Sequence, residues 1–195
     1  MSWKPIILPI TLIFSAQIFS GFIYRALVTF LPLYLSERIH LTFPSTLLAA
    51  GSFTSIVLLF GVGGQFLGGY LSERRSRESL TFLVLLVSVP LLLAMGNSSD
   101  MILMITAAVF AFFHFMGQPV GNVLLVDYIP SLWRGRIFGF YFFCNYGIGS
   151  FSASLLGYIA ERLGVQWVFL VSAGFAGLAL LCIIFKLRRY VYVPT

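Results

Sequence analysis

Long apolar runs broken by short charged separators set the rhythm of this chain. Six runs stand out, at about 5–36, 43–71, 80–96, 101–126, 137–160 and 165–185. Between them lie "ERIH", "SERRSRES", "NSSD", "DYIPSLWRGR" and "ERLG", and the tail reads "KLRRYVYVPT". A helix needs roughly 20 apolar residues to cross the hydrocarbon core. No run alternates apolar and polar positions as the strands of a membrane barrel do. Helices satisfy their own backbone hydrogen bonds in lipid, so the pattern predicts an all-α integral membrane protein with six transmembrane helices. The opening "KPIILPITLIFSA" mimics a secretory signal. Its apolar run continues to Leu35, past the length of a signal's apolar region, and it reads as a retained first helix.

Composition agrees with the pattern. Only 9% of the residues are charged and 59% are hydrophobic, whereas a soluble domain carries about 25% charged residues to face water. The net charge of +6 does not point to nucleic acid, because the cations sort by side. With six crossings, one side holds nine bases: Lys4, Arg74, Arg75, Arg77, Arg134, Arg136, Lys186, Arg188 and Arg189. The other holds Arg38 and Arg162, and Arg25 lies within the first run. Basic residues mark the cytoplasmic side, so both termini are expected in the cytoplasm, in a multi-pass protein of the inner or plasma membrane in contact with membrane lipid. The two cysteines, Cys144 and Cys182, lie inside apolar runs and lack metal-ligand spacing; they read as free thiols. No metal and no cofactor is expected.

One phrase is written twice. Gly69-Tyr-Leu-Ser-Glu-Arg74 ends the second run, and Gly157-Tyr-Ile-Ala-Glu-Arg162 ends the fifth, 88 positions later. The copies fall on opposite faces of the membrane. That is what two inverted three-helix repeats would produce, repeat one at about 5–96 and repeat two at about 101–189, within a single bundle over 1–195; chance likeness of two helix ends is the alternative.

The stretch from Gly69 to Arg77 resembles the loop between the second and third helices of a half in major facilitator superfamily transporters, whose pattern is G-x-x-x-[DE]-[RK]-x-G-x-[RK]. Ser76 replaces the second glycine, and Glu78 stands where a base is usual. "PSLWRGRIFGF" (130–140) is similar to the family's cytoplasmic loop between the fourth and fifth helices of a half. The fifth run, with Gly147, Gly149, Ala153 and Gly157, is similar to its glycine-rich fifth helix. The resemblance implies half of a twelve-helix fold, the C-terminal half, with a second six-helix half as partner: in the same gene, in a separate chain, or as a second copy.

Polar residues inside the runs carry the candidate chemistry. Gln17, Gly21, Tyr24, Arg25, Val28 and Pro32 share one face of the first helix. A central arginine facing lipid costs roughly 2.5–3.5 kcal/mol, so Arg25 should face a cavity or a partner. It has three readings: pinned by carbonyls or tyrosines, part of a solute pathway, or snorkelling toward the outer surface. His114, Gln118, Gly121, Asn122 and Leu125 share a face of the fourth helix, beside Pro119. His114 is either packed and hydrogen-bonded or part of the same pathway. Shifting Arg25 by the repeat offset lands on Phe113, beside His114, so the two stripes lie at similar depth. In the resembled family the first helix of each triplet lines the central cavity. That implies a substrate site at Gln17, Tyr24, Arg25, His114, Gln118, Asn122 and Asn145, with Tyr141 and Gln65 behind them. Small-residue stripes, Gly64 with Gly68 and Gly149 with Ala153 and Gly157, are expected to let neighbouring backbones approach.

The cytoplasmic loops supply a second group: Glu73, Arg74 and Arg77 after the second helix, and Asp127, Arg134 and Arg136 after the fourth. Most such charges are solvated faces. The resemblance implies that Glu73 caps or clamps a helix of the opposite half and gates one end of the transport cycle. The expected function is secondary transport of a small-molecule substrate by alternating access, with Arg25 favouring an anionic solute and efflux of a drug-like compound also in view. A non-transporting fragment or interaction module built from half a fold is the alternative. An enzyme is not expected, because no nucleophile motif or H-E-x-x-H appears and His114 has no acid within its helix.

Overall fold

The computed structural model describes residues 4–39 and 46–189. The expected start of the second helix at 43, and the side chains of Lys4 and Arg189, lie outside the described residues. The described chain is helical, with no strand. Helix α1 is Lys4–Arg38, α2 Thr46–Arg74, α3 Arg77–Asn97 and α4 Asp100–Tyr128. A short turn at Ser131–Trp133 leads into α5, Arg134–Phe142. A π-helical segment, Phe143–Ile148, joins α5 to α6, Gly149–Leu163, and α7 is Gln166–Arg189. Polar signals set the joints. The Ser76 hydroxyl accepts from the Ser79 N–H at the start of α3, and Gly164 takes φ +98° between α6 and α7, a conformation L side chains rarely adopt.

Among the described residues, five helices are individually long and apolar enough to cross a membrane: Ile7–Arg38, Leu48–Arg74, Arg77–Asn97, Asp100–Tyr128 and Gln166–Arg188. The expected fifth span is the exception. It is built from α5, the π segment and α6 in series. A π turn carries an extra residue and marks functional sites more often than plain packing, and here it falls in "FCNYGI", where two apolar stretches meet polar Asn145.

Packing follows the small residues on one side of the molecule. A Cβ on Gly64 would stand 1.9 Å from the carbonyl oxygen of Phe112, and one on Gly68 2.2 Å from that of Met116. Helix α2 therefore lies directly on the backbone of α4, as glycine stripes permit in lipid. The other expected stripe behaves differently: Gly149 has open space, and Gly157 meets only the tip of Phe30 at 3.9 Å. The central core joins α1, α4 and α7 through Ile23, Leu27, Tyr34, Phe110 and Phe169. Tyr34 keeps its hydroxyl satisfied there by donating to the Met95 carbonyl at 2.9 Å. Many large apolar side chains face outward, Phe66, Phe143 and Phe151 among them, as a membrane-embedded surface requires.

Candidate functional site

Between α1, α4 and the composite fifth crossing lies a cavity of about 120 Å³. From α1 come Gln17, Ser20, Gly21 and Tyr24; from α4 come His114, Gln118 and Asn122. The fifth crossing adds Tyr141, Phe142, Asn145 and Tyr146. Two glycines create the room for amides. A Cβ on Gly121 would stand 2.1 Å from Gln17 Nε2, and one on Gly21 would stand 2.3 Å from Asn145 Oδ1. The π segment aims Asn145 and Tyr146 inward, and Pro119 removes a backbone N–H from the middle of α4.

Hydrogen bonds orient the lining. Gln65 on α2 donates through Nε2 to Gln118 Oε1 at 3.0 Å, which leaves the Gln118 amide group with protons to donate. Asn145 Nδ2 donates to the Tyr141 hydroxyl at 3.1 Å, so the phenolic proton remains available. His114 is 3% exposed and stacks on Phe110 with centroids 5.3 Å apart. Its Nε2 finds no hydrogen-bond partner among the described residues. Buried polar atoms are nearly always partnered, and this one is enclosed by the protein with almost no accessible surface.

Six of the seven expected substrate-site residues thus meet in one cavity: Gln17, Tyr24, His114, Gln118, Asn122 and Asn145. Arg25 does not join them. Its guanidinium carbon lies 5.9 Å from the Tyr146 ring centroid, and Tyr146, not Arg25, lines the cavity. Tyrosine stacking is how the structure accommodates this intramembrane cation. Ser20, Phe142 and Tyr146 went unread in the sequence. Phe142 and Tyr146 carry no polar-stripe signal, and their inward direction depends on the π turn.

The charged loops also sort themselves. Arg77 bonds both carboxylate oxygens of Asp127 at 2.6 Å and donates through Nε to the Ser72 carbonyl at 3.0 Å. The α3 start is thereby pinned to the ends of α2 and α4. Glu73 is exposed and makes no ion pair among the described residues. Arg74 stacks on Tyr70 at 4.4 Å and Arg136 on Trp133 at 5.2 Å, while Arg134 reaches the Ile129 carbonyl at 3.4 Å. None of these three joins the Arg77–Asp127 pair. A second cluster went unread. Glu78 accepts from the Tyr128 hydroxyl at 2.6 Å and from Lys186 Nζ, whose side chain is fully buried and lies 4.6 Å from the Tyr128 ring centroid. Its signal was in view: an acid where the loop pattern has a base calls for a base elsewhere, and Lys186 is the first charge after the sixth apolar run.

The sequence profile of the Major Facilitator Superfamily matches residues 13–193. The chain belongs to the major facilitator superfamily. No curated protein matches it significantly in sequence. Among solved structures, an auto-inhibited peptide transporter of the POT family superposes with a TM-score of 0.84 at 17% identity, covering 95% of this chain and 38% of that one. The POT family transporter PepTSo superposes with a TM-score of 0.83 at 16% identity, covering 96% of this chain and 39% of that one. At such identities the likeness is one of fold. This member of the superfamily is a multi-pass membrane protein, and it spans less than two fifths of the length of those structures.

Proposed function

We propose that this chain is one six-helix bundle of a transporter that carries a small solute by alternating access. The superfamily match supports solute transport as the general activity. The cavity carries the more specific reading: half-buried hydrogen-bonding side chains midway along α1 and α4, with the buried His114 in its wall, surround one space. The two triplets form an inverted repeat in this reading. Packing of the outer pair supports it, because α1 meets α7 as α4 meets α3. The cavity opens toward a second bundle, and the basic end bearing Arg77 and Lys186 faces the cytoplasm. The Arg77–Asp127 pair holds the cytoplasmic ends of α2, α3 and α4 together as one body, so the bundle rocks as a unit.

The test is solute counterflow in liposomes with the assembly purified through this chain from its native membrane, against a panel of metabolites. At least one solute is expected to move. Its flux should fall about tenfold or more in Asn122→Leu and in His114→Ala, as loss of one buried charge-free hydrogen bond worth about 1.4 kcal/mol implies. Movement of no solute, or flux indifferent to both substitutions, would remove the reading.

A further inference from the structure

We infer that the cavity selects a neutral, ring-shaped solute bearing adjacent hydroxyl groups, of the monosaccharide class. This rests on the cavity being the solute site and goes on to name its chemistry. Every polar group in the lining is uncharged or can be. Gln17, Gln118, Asn122 and Asn145 bring four carboxamides, each offering both a donor and an acceptor. A hydroxyl is likewise both donor and acceptor, so neighbouring hydroxyls on a ring complement neighbouring carboxamides pair by pair. The oriented bonds sharpen the match. Gln118 and Tyr141 keep protons to donate, because their oxygens already accept from Gln65 and Asn145. Tyr24, Tyr141 and Tyr146 supply ring faces and edges, on which the C–H face of a sugar ring packs.

The same lining disfavours other classes. An anion would meet no cation from this bundle's described lining, because Arg25 lies over the Tyr146 ring and does not line the cavity. A cation would find aromatic rings but no carboxylate among the described lining residues of this bundle. A zwitterionic peptide needs both. A lipophilic compound would leave the donors and acceptors of the half-buried carboxamides unused.

The experiment uses the full chain in native membrane vesicles, with Cys144→Ser and Cys182→Ser as background and Ser20→Cys as reporter. A small water-soluble thiol reagent labels the reporter, in the presence of glucose, xylose, succinate, dialanine or tetraphenylphosphonium. Labelling is expected, and one of the monosaccharides should slow it by about tenfold at ten times its half-protecting concentration, as simple occupancy requires. Gln118→Leu and Asn122→Leu should each abolish that protection while labelling persists, and Gln118→Asn should retain part of it. Protection by succinate, dialanine or tetraphenylphosphonium alone would overturn the solute class and leave the site standing. Labelling that neither monosaccharide slows, or protection indifferent to both leucine variants, would likewise overturn the class. A reporter that never labels would mean that water does not reach the cavity, and the site itself would fall.

Discussion

At the scale of single residues, glycine does two different jobs here, and the difference is what a methyl group would strike. At Gly64 it would strike the Phe112 backbone at 1.9 Å, which cannot step aside without moving α4. Gly64→Ala is expected to lose about 1–3 kcal/mol, the usual cost of overpacking, seen as a lower midpoint of thermal unfolding in detergent. Gly69, five residues on and on another face of the helix, has nothing within 4 Å, so Gly69→Ala should be neutral or gain up to about 1 kcal/mol of helix propensity. At Gly121 the methyl would strike the end of the Gln17 side chain, which can swing away. Gly121→Ala therefore disturbs the cavity and spares the fold. Arg25 shows the limit of reading charge from depth alone. Its position in α1 demanded an inward partner, and the partner is the Tyr146 ring, a residue with no charge to advertise it.

At the scale of elements, the fifth crossing stands apart. The twice-written phrase does the same local work at both sites: Arg74 stacks on Tyr70 and Arg162 on Tyr158, each four residues back. A tyrosine and an arginine one turn apart at a helix end cover apolar surface while the cation reaches outward. The fifth crossing departs from the second in its π segment, where the Gly149 N–H reaches back to the Cys144 carbonyl. Removing one residue there lets the segment close as an ordinary α-helix, so α5 and α6 keep their faces while the side chains inside the segment are re-aimed. Deleting Gly147 should leave a chain that inserts and elutes as before. Asn145 would leave the cavity, and counterflow should be lost. Unchanged flux in the deletion would show that the π turn has no part in the site.

At the scale of the whole molecule, three helices distant in sequence are stapled at one end. Lys186 on α7 is fully buried and is held by Glu78 on α3, which also accepts from Tyr128 on α4. Breaking a buried pair from one side strands a charge, which costs about 3–5 kcal/mol, whereas removing both partners is far milder. Glu78→Gln is expected to destabilise the bundle strongly, and Glu78→Gln with Lys186→Met to recover most of the loss, measured as thermal midpoints in a double-mutant cycle. Additive losses would mean that the two side chains act independently.

Six crossings, their approximate ends and the polar faces of α1 and α4 were legible in the sequence, because lipid imposes length, apolarity and internal hydrogen bonding on each helix by itself. That the amides and His114 meet at one cavity was legible for the same reason: a polar group is tolerated in hydrocarbon only where something faces it. Other features depended on how helices meet. Only the packed bundle decides that Arg25 stops behind Tyr146, that the first glycine stripe is used and the second left open, and that Glu78 answers to Lys186 rather than to its own loop. A one-dimensional pattern records which face of a helix is polar. Which neighbour that face meets, and at what rotation, is settled by close packing between helices and by one extra residue in a π turn.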